Sequence, residues 1–154
     1  MSASPPPVAE GVYRVRNVAS GLLLEVYGGS TRSGADVRQG TENGTPAQHW
    51  HISPVPNGSG LYHLVNVAGG KRLDVAGAST ENGANVQQWR ANNFGAQEWI
   101  IEQDLQSPGV VALVSFVSGL LLEVEDASPD DGGNVRQWED TDSPAQWWRL
   151  EPVA

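Results

Sequence analysis

The sequence predicts an all-β domain, closed as a three-fold barrel, and three observations carry that reading. A short motif ending in tryptophan recurs at a fixed spacing of 49 residues, at Trp50, Trp99 and Trp148. Between recurrences, short runs of alternating apolar and polar residues are separated by turn clusters, as strands are. No segment sustains a 3.6-residue apolar period, so helix content should be small.

Composition agrees and narrows the function. The chain has 154 residues, 18 of them glycine and 10 proline, which suits one domain of many short strands. Its formal net charge is −9. Nucleic-acid affinity comes mainly from Lys and Arg neutralising phosphates, so a nucleic-acid partner is not expected. Anionic membrane surfaces are disfavoured for the same reason, and no apolar run is long enough for membrane insertion. Without cysteine there is no disulfide, thiolate metal site or cysteine nucleophile. Residues 1–10, with Pro5-Pro6-Pro7, read as a flexible lead-in. They lack the basic and apolar regions of a leader, so the expected location is cytoplasmic, or outside after release without a visible leader.

The 49-residue register also aligns Gly11, Gly60 and Gly109; Leu24, Leu73 and Leu122; Gly34, Gly83 and Gly132; and Val37, Val86 and Val135. No insertion or deletion is needed, so the domain at 11–154 divides into repeats 11–59, 60–108 and 109–154. In the first, strands are expected near Val12–Val18, Leu22–Tyr27, Ala35–Gly40 and Gln48–Ser53. Ala19-Ser20-Gly21, Gly28-Gly29-Ser30 and Asn43-Gly44-Thr45-Pro46 supply the turns. Alternation turns Leu24, Val26, Val37, Trp50 and Ile52 inward, with Leu73, Val75, Val86, Trp99 and Ile101, and Leu122, Val124, Val135, Trp148 and Leu150. Trp50, Trp99 and Trp148 are therefore core residues. A propeller normally needs at least four blades, which leaves the barrel.

Gln48-His49-Trp50, Gln97-Glu98-Trp99 and Gln146-Trp147-Trp148 are Q-x-W motifs, preceded by Glu25-Val26, Asp74-Val75 and Glu123-Val124. With Arg72-Leu73-Asp74-Val75-Ala76-Gly77 and Asn85-Val86-Gln87-Gln88-Trp89, the chain from Gly11 to about Pro152 resembles the ricin B-chain lectin family. That resemblance implies a β-trefoil of three pseudo-symmetric four-stranded repeats. It also implies a non-catalytic lectin for galactose-type or related glycans, or a carbohydrate-binding module of a larger glycosidase.

The residues point to the same surface. With Val86 inward, Gln87 and Trp89 face out, and Trp138 does so beside Arg136. An indole face packs the apolar face of a pyranose, and a carboxylate accepts charge-assisted hydrogen bonds from hydroxyls. The second repeat is expected to be the best site: Asp74 as acceptor, Trp89 as platform, Gln87 and Asn92 in support. Glu123, Arg136 and Trp138 rank next, with an acidic sugar left open. The first repeat offers Glu25 and Arg38, but Gly40 stands where Trp89 and Trp138 do, so that site is expected to be weak or dead. In both Glu copies the partner is an arginine, which can occupy the oxygens a sugar needs; Asp74 has Gln87 instead. Against this, the tryptophans could simply cover the barrel mouth while the acids pair locally. The family's asparagine before Q-x-W is Ala47, Ala96 and Ala145 here, which puts galactose specificity in question; Asn92 or Asn93 is the candidate substitute.

Other chemistry finds no motif: no P-loop, Rossmann fingerprint, nucleophile elbow or zinc signature, and no cofactor is expected. His49 and His51 read as solvated, and the acids at Glu123–Asp126 and Asp130–Asp131 as a solvated loop rather than a calcium site. Glu25, Asp74 and Glu123 should lie far apart around the barrel, unlike the paired carboxylates of a glycosidase. The competing reading is a trefoil that binds protein, such as a protease inhibitor, through the linking loops at Ser53–Gly60 and Gln103–Gly109. A homo-oligomer stays open.

Overall fold

The computed structural model describes residues 7–153. Twelve strands form: β1 (Gly11–Asn17), β2 (Leu23–Val26), β3 (Val37–Gly40), β4 (Trp50–Pro54), β5 (Tyr62–Asn66), β6 (Arg72–Val75), β7 (Val86–Trp89), β8 (Trp99–Gln103), β9 (Val110–Ser115), β10 (Leu121–Val124), β11 (Val135–Trp138) and β12 (Trp148–Pro152). β1 pairs with β4, β4 with β5, β5 with β8, β8 with β9, β9 with β12, and β12 with β1. That cycle is a closed six-stranded barrel, which leaves no free sheet edge. The hairpins β2–β3, β6–β7 and β10–β11 cap it, joined by bridges at Asp36–Gln87, Asn85–Arg136 and Arg38–Asn134. The fold is a β-trefoil.

Trp50, Trp99 and Trp148 are fully buried, and each indole N–H donates to a β2-type carbonyl, of Leu24, Leu73 and Leu122, at 3.0, 3.1 and 3.0 Å. One contact thus ties each barrel strand to its own hairpin. Ile101 and Leu150, expected in the core, are half-buried against it. Strand ends also differ from expectation. Gln48 lies in a 3-10 turn (Pro46–Gln48) and Tyr27 opens another (Tyr27–Gly29). Ala35 falls outside β3.

A second set of buried polar side chains locks the repeats together. The Nε2 groups of Gln39, Gln88 and Gln137, all fully buried, donate to Ser128 and Asp130, to Ser30 and Arg32, and to Ser79 and Glu81. Each clamps a hairpin bend of a neighbouring repeat and so satisfies its own buried amide donors. Of the expected flexible lead-in, residues 1–6 lie outside the described residues, whereas Val8 N–H donates to Tyr62 Oη at 3.0 Å and Val8 packs on the core. The chain is therefore pinned before residue 10. No described helix is long and apolar enough to cross a membrane.

Candidate functional site

The three acids are buried, not displayed. Glu25, Asp74 and Glu123 are only 6, 5 and 6% exposed. Alternation along the strand puts them opposite the core face, but the 3-10 turn carrying the Q-x-W glutamine folds over that side. Gln48, Gln97 and Gln146 donate to Glu25, Asp74 and Glu123 at 2.8, 3.0 and 3.0 Å. The same Nε2 groups donate to the Thr41, Arg90 and Glu139 carbonyls. The motif thus has two jobs: its tryptophan fills the barrel and its glutamine positions the acid.

What lies on the second oxygen separates the copies. Arg38 Nε donates to Glu25 at 2.8 Å and Arg136 Nε to Glu123 at 2.8 Å. At Asp74 the second donor is Gln87 Nε2, at a longer 3.3 Å. A neutral amide at that distance is a weak competitor for a carboxylate, whereas a guanidinium is a strong one. Burial pushes the Asp74 carboxyl above the ordinary carboxylate range, the Gln97 and Gln87 hydrogen bonds opposing it. Glu25 and Glu123 carry a positive charge alongside, and Asp74 does not.

The arginines also cover aromatic faces. The Arg136 guanidinium lies 4.4 Å from the Trp138 ring centre, and Arg38 lies 4.3 Å from that of Tyr27. The expected platform of the third repeat therefore has one face occupied by its own arginine. In the first repeat Gly40 leaves no platform, and a Cβ there would collide with the Glu25 carboxylate. Tyr27, 59% exposed, is an aromatic group the sequence reading did not pick out there.

In the second repeat the parts come together. An open cavity of about 510 Å³ is lined by Asp74, Gln87, Trp89 and Asn92, together with Ala76–Ala78, Phe94 and Ala96. Trp89 lies close to Gly34 of the first repeat: a Cβ there would sit 3.4 Å from the Trp89 ring, and the φ of +89° would strain any side chain. Ala96, at the position of the family asparagine, presents only a methyl, while Asn92 comes in from the preceding loop. Asn93 lines a neighbouring cleft instead. Phe94, 70% exposed at the cavity mouth, was missed; a large apolar residue in the Asn92-Asn93-Phe94-Gly95 loop, against Thr45 and Ser143 in the other copies, was the available signal.

The remaining candidates take ordinary roles. Glu125 and Asp126 approach Arg136 at 3.5 and 3.8 Å, so that part of the acidic run surrounds a cation. His51 faces Glu10 at 3.4 Å. His49 is held below its usual range by burial and then by Arg14. Among the described residues no three metal-ligating side chains gather.

Comparison with known proteins places this geometry. The model of the family described as ricin-type beta-trefoil lectin domain-like matches residues 5–89 and 95–154. No curated protein matches the sequence. Among solved structures, the designed three-fold symmetric protein ThreeFoil is 40% identical with a TM-score of 0.87, over 94% of this chain and 100% of its own. An exo-beta-1,3-galactanase from Clostridium thermocellum is 33% identical with a TM-score of 0.87, over 96% of this chain and 31% of its own, so the match spans under a third of that enzyme. A ricin B-like lectin from Macrolepiota procera, solved with lactose, is 16% identical with a TM-score of 0.81 over 95% of this chain and 99% of its own, a likeness of fold.

Proposed function

The chain belongs to the ricin-type β-trefoil lectin domain-like family, and we propose that it is a non-catalytic carbohydrate-binding module whose working site is in the second repeat and takes a galactose-type sugar. The observation that carries this is the cavity in which Asp74 meets Trp89 with no arginine on either. A pyranose laid on the half-buried indole would turn two hydroxyls toward the Asp74 oxygens, displacing the long Gln87 contact and leaving Gln97 to hold the acid in place. Gln87 and Asn92 then supply amide donors and acceptors at the rim. The other two acids are already paired and act as scaffold, and each of the three sits in its own repeat without a carboxylate partner across a cleft, which is why no hydrolytic role is assigned.

The galactose preference is supported by the likeness, at 33% identity, to part of a galactanase. The same likeness favours a second reading, that this domain serves a larger glycoside-processing enzyme by holding it on its substrate. The test is calorimetric titration with galactose, lactose and xylo-oligosaccharides, using Asp74→Ala and Trp89→Ala. Saturable binding lost in both variants is expected; unchanged binding in both removes the site. A blank glycan array together with inhibition of a protease would instead favour the protein-binding alternative.

A further inference from the structure

The cavity that holds Asp74 is bordered by Phe94. Beyond that ring a second cleft, of about 370 Å³, is walled by Asn57, His63, Arg72 and Glu98, and Asn92 and Phe94 line both spaces. The two clefts adjoin at these shared residues, of which Phe94 is 70% exposed. We propose that the outer cleft is a second sugar subsite, so that the second repeat grips two adjacent units of a glycan chain. The proposal rests on the Asp74–Trp89 reading above and extends it.

Departure from three-fold symmetry supports it. Arg72 stands where the other copies have the buried Leu23 and Leu121; His63 where they have Arg14 and Ala112; Phe94 where they have Thr45 and Ser143; Glu98 where they have His49 and Trp147. Leu23 and Leu121 lie outside the core cluster, so the barrel core does not dictate this position, and the second copy alone places a charge there. The equivalent cleft of the third repeat is smaller, about 220 Å³, and its lining includes Ala112, Leu121, Asp142 and Trp147 but no cation.

The chemistry of the lining fits a neutral sugar unit. Arg72 Nη1 donates to the Asn92 carbonyl at 3.1 Å and to Gln97 Oε1 at 3.4 Å, which fixes the loop carrying both shared residues and ties it to the glutamine that holds Asp74. The His63 imidazole is kept below its ordinary range, by burial first and the Arg72 charge second, so near neutral pH it offers one donor and one acceptor. Hydroxyls both donate and accept, and Glu98 adds an anionic acceptor opposite. Phe94 supplies the apolar surface on which the linkage between the two units would lie.

The experiment is calorimetry on the full chain with galactose and with β-1,3-linked galactobiose, for the wild type, His63→Ala and Glu98→Ala. Both substituted residues line only the outer cleft. The disaccharide should bind about tenfold tighter than galactose, equivalent to about 1.4 kcal/mol. Each variant should erase most of that gain and leave galactose affinity within about twofold. A disaccharide no tighter than galactose, or a gain that survives both variants, overturns the second subsite while the Asp74 site stands. Absence of binding by either sugar overturns the galactose reading of the Asp74 site and the subsite with it. Two variants guard against one failing to fold, which a thermal melt would reveal.

Discussion

Arg136→Gln probes the proposed difference between a binding and a silent copy. In the third repeat Arg136 does three things at once. It holds Glu123 at 2.8 Å, covers the Trp138 ring at 4.4 Å, and balances Glu125 and Asp126. Removing one partner of a fully buried ion pair costs about 3–5 kcal/mol. Here the arginine side chain is 16% exposed and a glutamine could still reach the acid as Gln87 does, so about 2 kcal/mol is the expected loss. For a domain of this length that lowers Tm by about 4–8 °C. Adding Glu123→Asp rebuilds the Asp74–Gln87 pairing on the third hairpin. Part of the loss should return, because the shorter acid needs only the two amides that already satisfy Asp74. The uncovered indole and the acid freed of its guanidinium should then bind sugar. Thermal melts followed by calorimetric titration with galactose separate the two effects: the single variant reads stability, the double variant reads stoichiometry, which should rise from one toward two. A single variant melting within about 1 °C of wild type would show that Arg136 contributes nothing to Glu123, contrary to the magnitude above. A stable double variant with unchanged stoichiometry would refute the idea that the arginine is what silences the copy.

Further perturbations follow from the same contacts. Trp99→Ala removes a fully buried indole and leaves the Leu73 carbonyl without its 3.1 Å donor, so it should cost about 3–5 kcal/mol by denaturant titration, with Trp50→Ala and Trp148→Ala close to it. Gly34→Ala places a side chain at φ +89° and 3.4 Å from the Trp89 ring; a loss of about 1–2 kcal/mol, with weaker sugar binding, is expected from melts and titration. Acidification should separate affinity from stability at Asp74. Its carboxyl is raised by burial, so the ionised, sugar-accepting form is lost as pH falls through a value above the ordinary carboxylate near 4, and affinity falls there. The sign for folding is opposite: a raised folded-state pKa contributes stability at low pH that is lost as pH rises through it. Asp74→Asn should remove the Asp74 share of the pH slope in melts and weaken sugar binding at every pH in titrations.

How much of this was legible in the sequence depended on which physical rule governed each residue. The tryptophans and the apolar partners on the hairpin strands obey the two-residue period of a strand, and strict register at 49 residues carried them through all three copies. Glu25, Asp74 and Glu123 obey it too, and alternation turns them away from the core, yet they are buried. A strand can be buried on its second face by a turn from elsewhere in the repeat, and pattern along the strand is silent on that. The ion pairs could be read because Glu with Arg and Asp with Gln change together. The arginine lying on Trp138, and Phe94 shared by two clefts, could not, since they depend on loop paths and side-chain directions that no spacing encodes.

The persistence of the acid in all three copies is best explained by the scaffold. An unpaired Q-x-W glutamine would leave a buried donor unsatisfied, a cost of about 1–3 kcal/mol, so the acid is retained whether or not a sugar ever arrives. That explains why Glu25 remains in a repeat where Gly40 has removed the platform. On the function proposed above, motif retention reports the scaffold, and the second donor to the acid separates a binding copy from a silent one. Where that donor is a guanidinium the acid is held firmly and spoken for; where it is the 3.3 Å amide of Gln87, the carboxylate keeps an oxygen that a hydroxyl can claim. Gln87→Arg is the converse test: it should close the second-repeat site, leaving the fold intact and titration with galactose flat, and retained affinity would break the link between the pairing residue and binding.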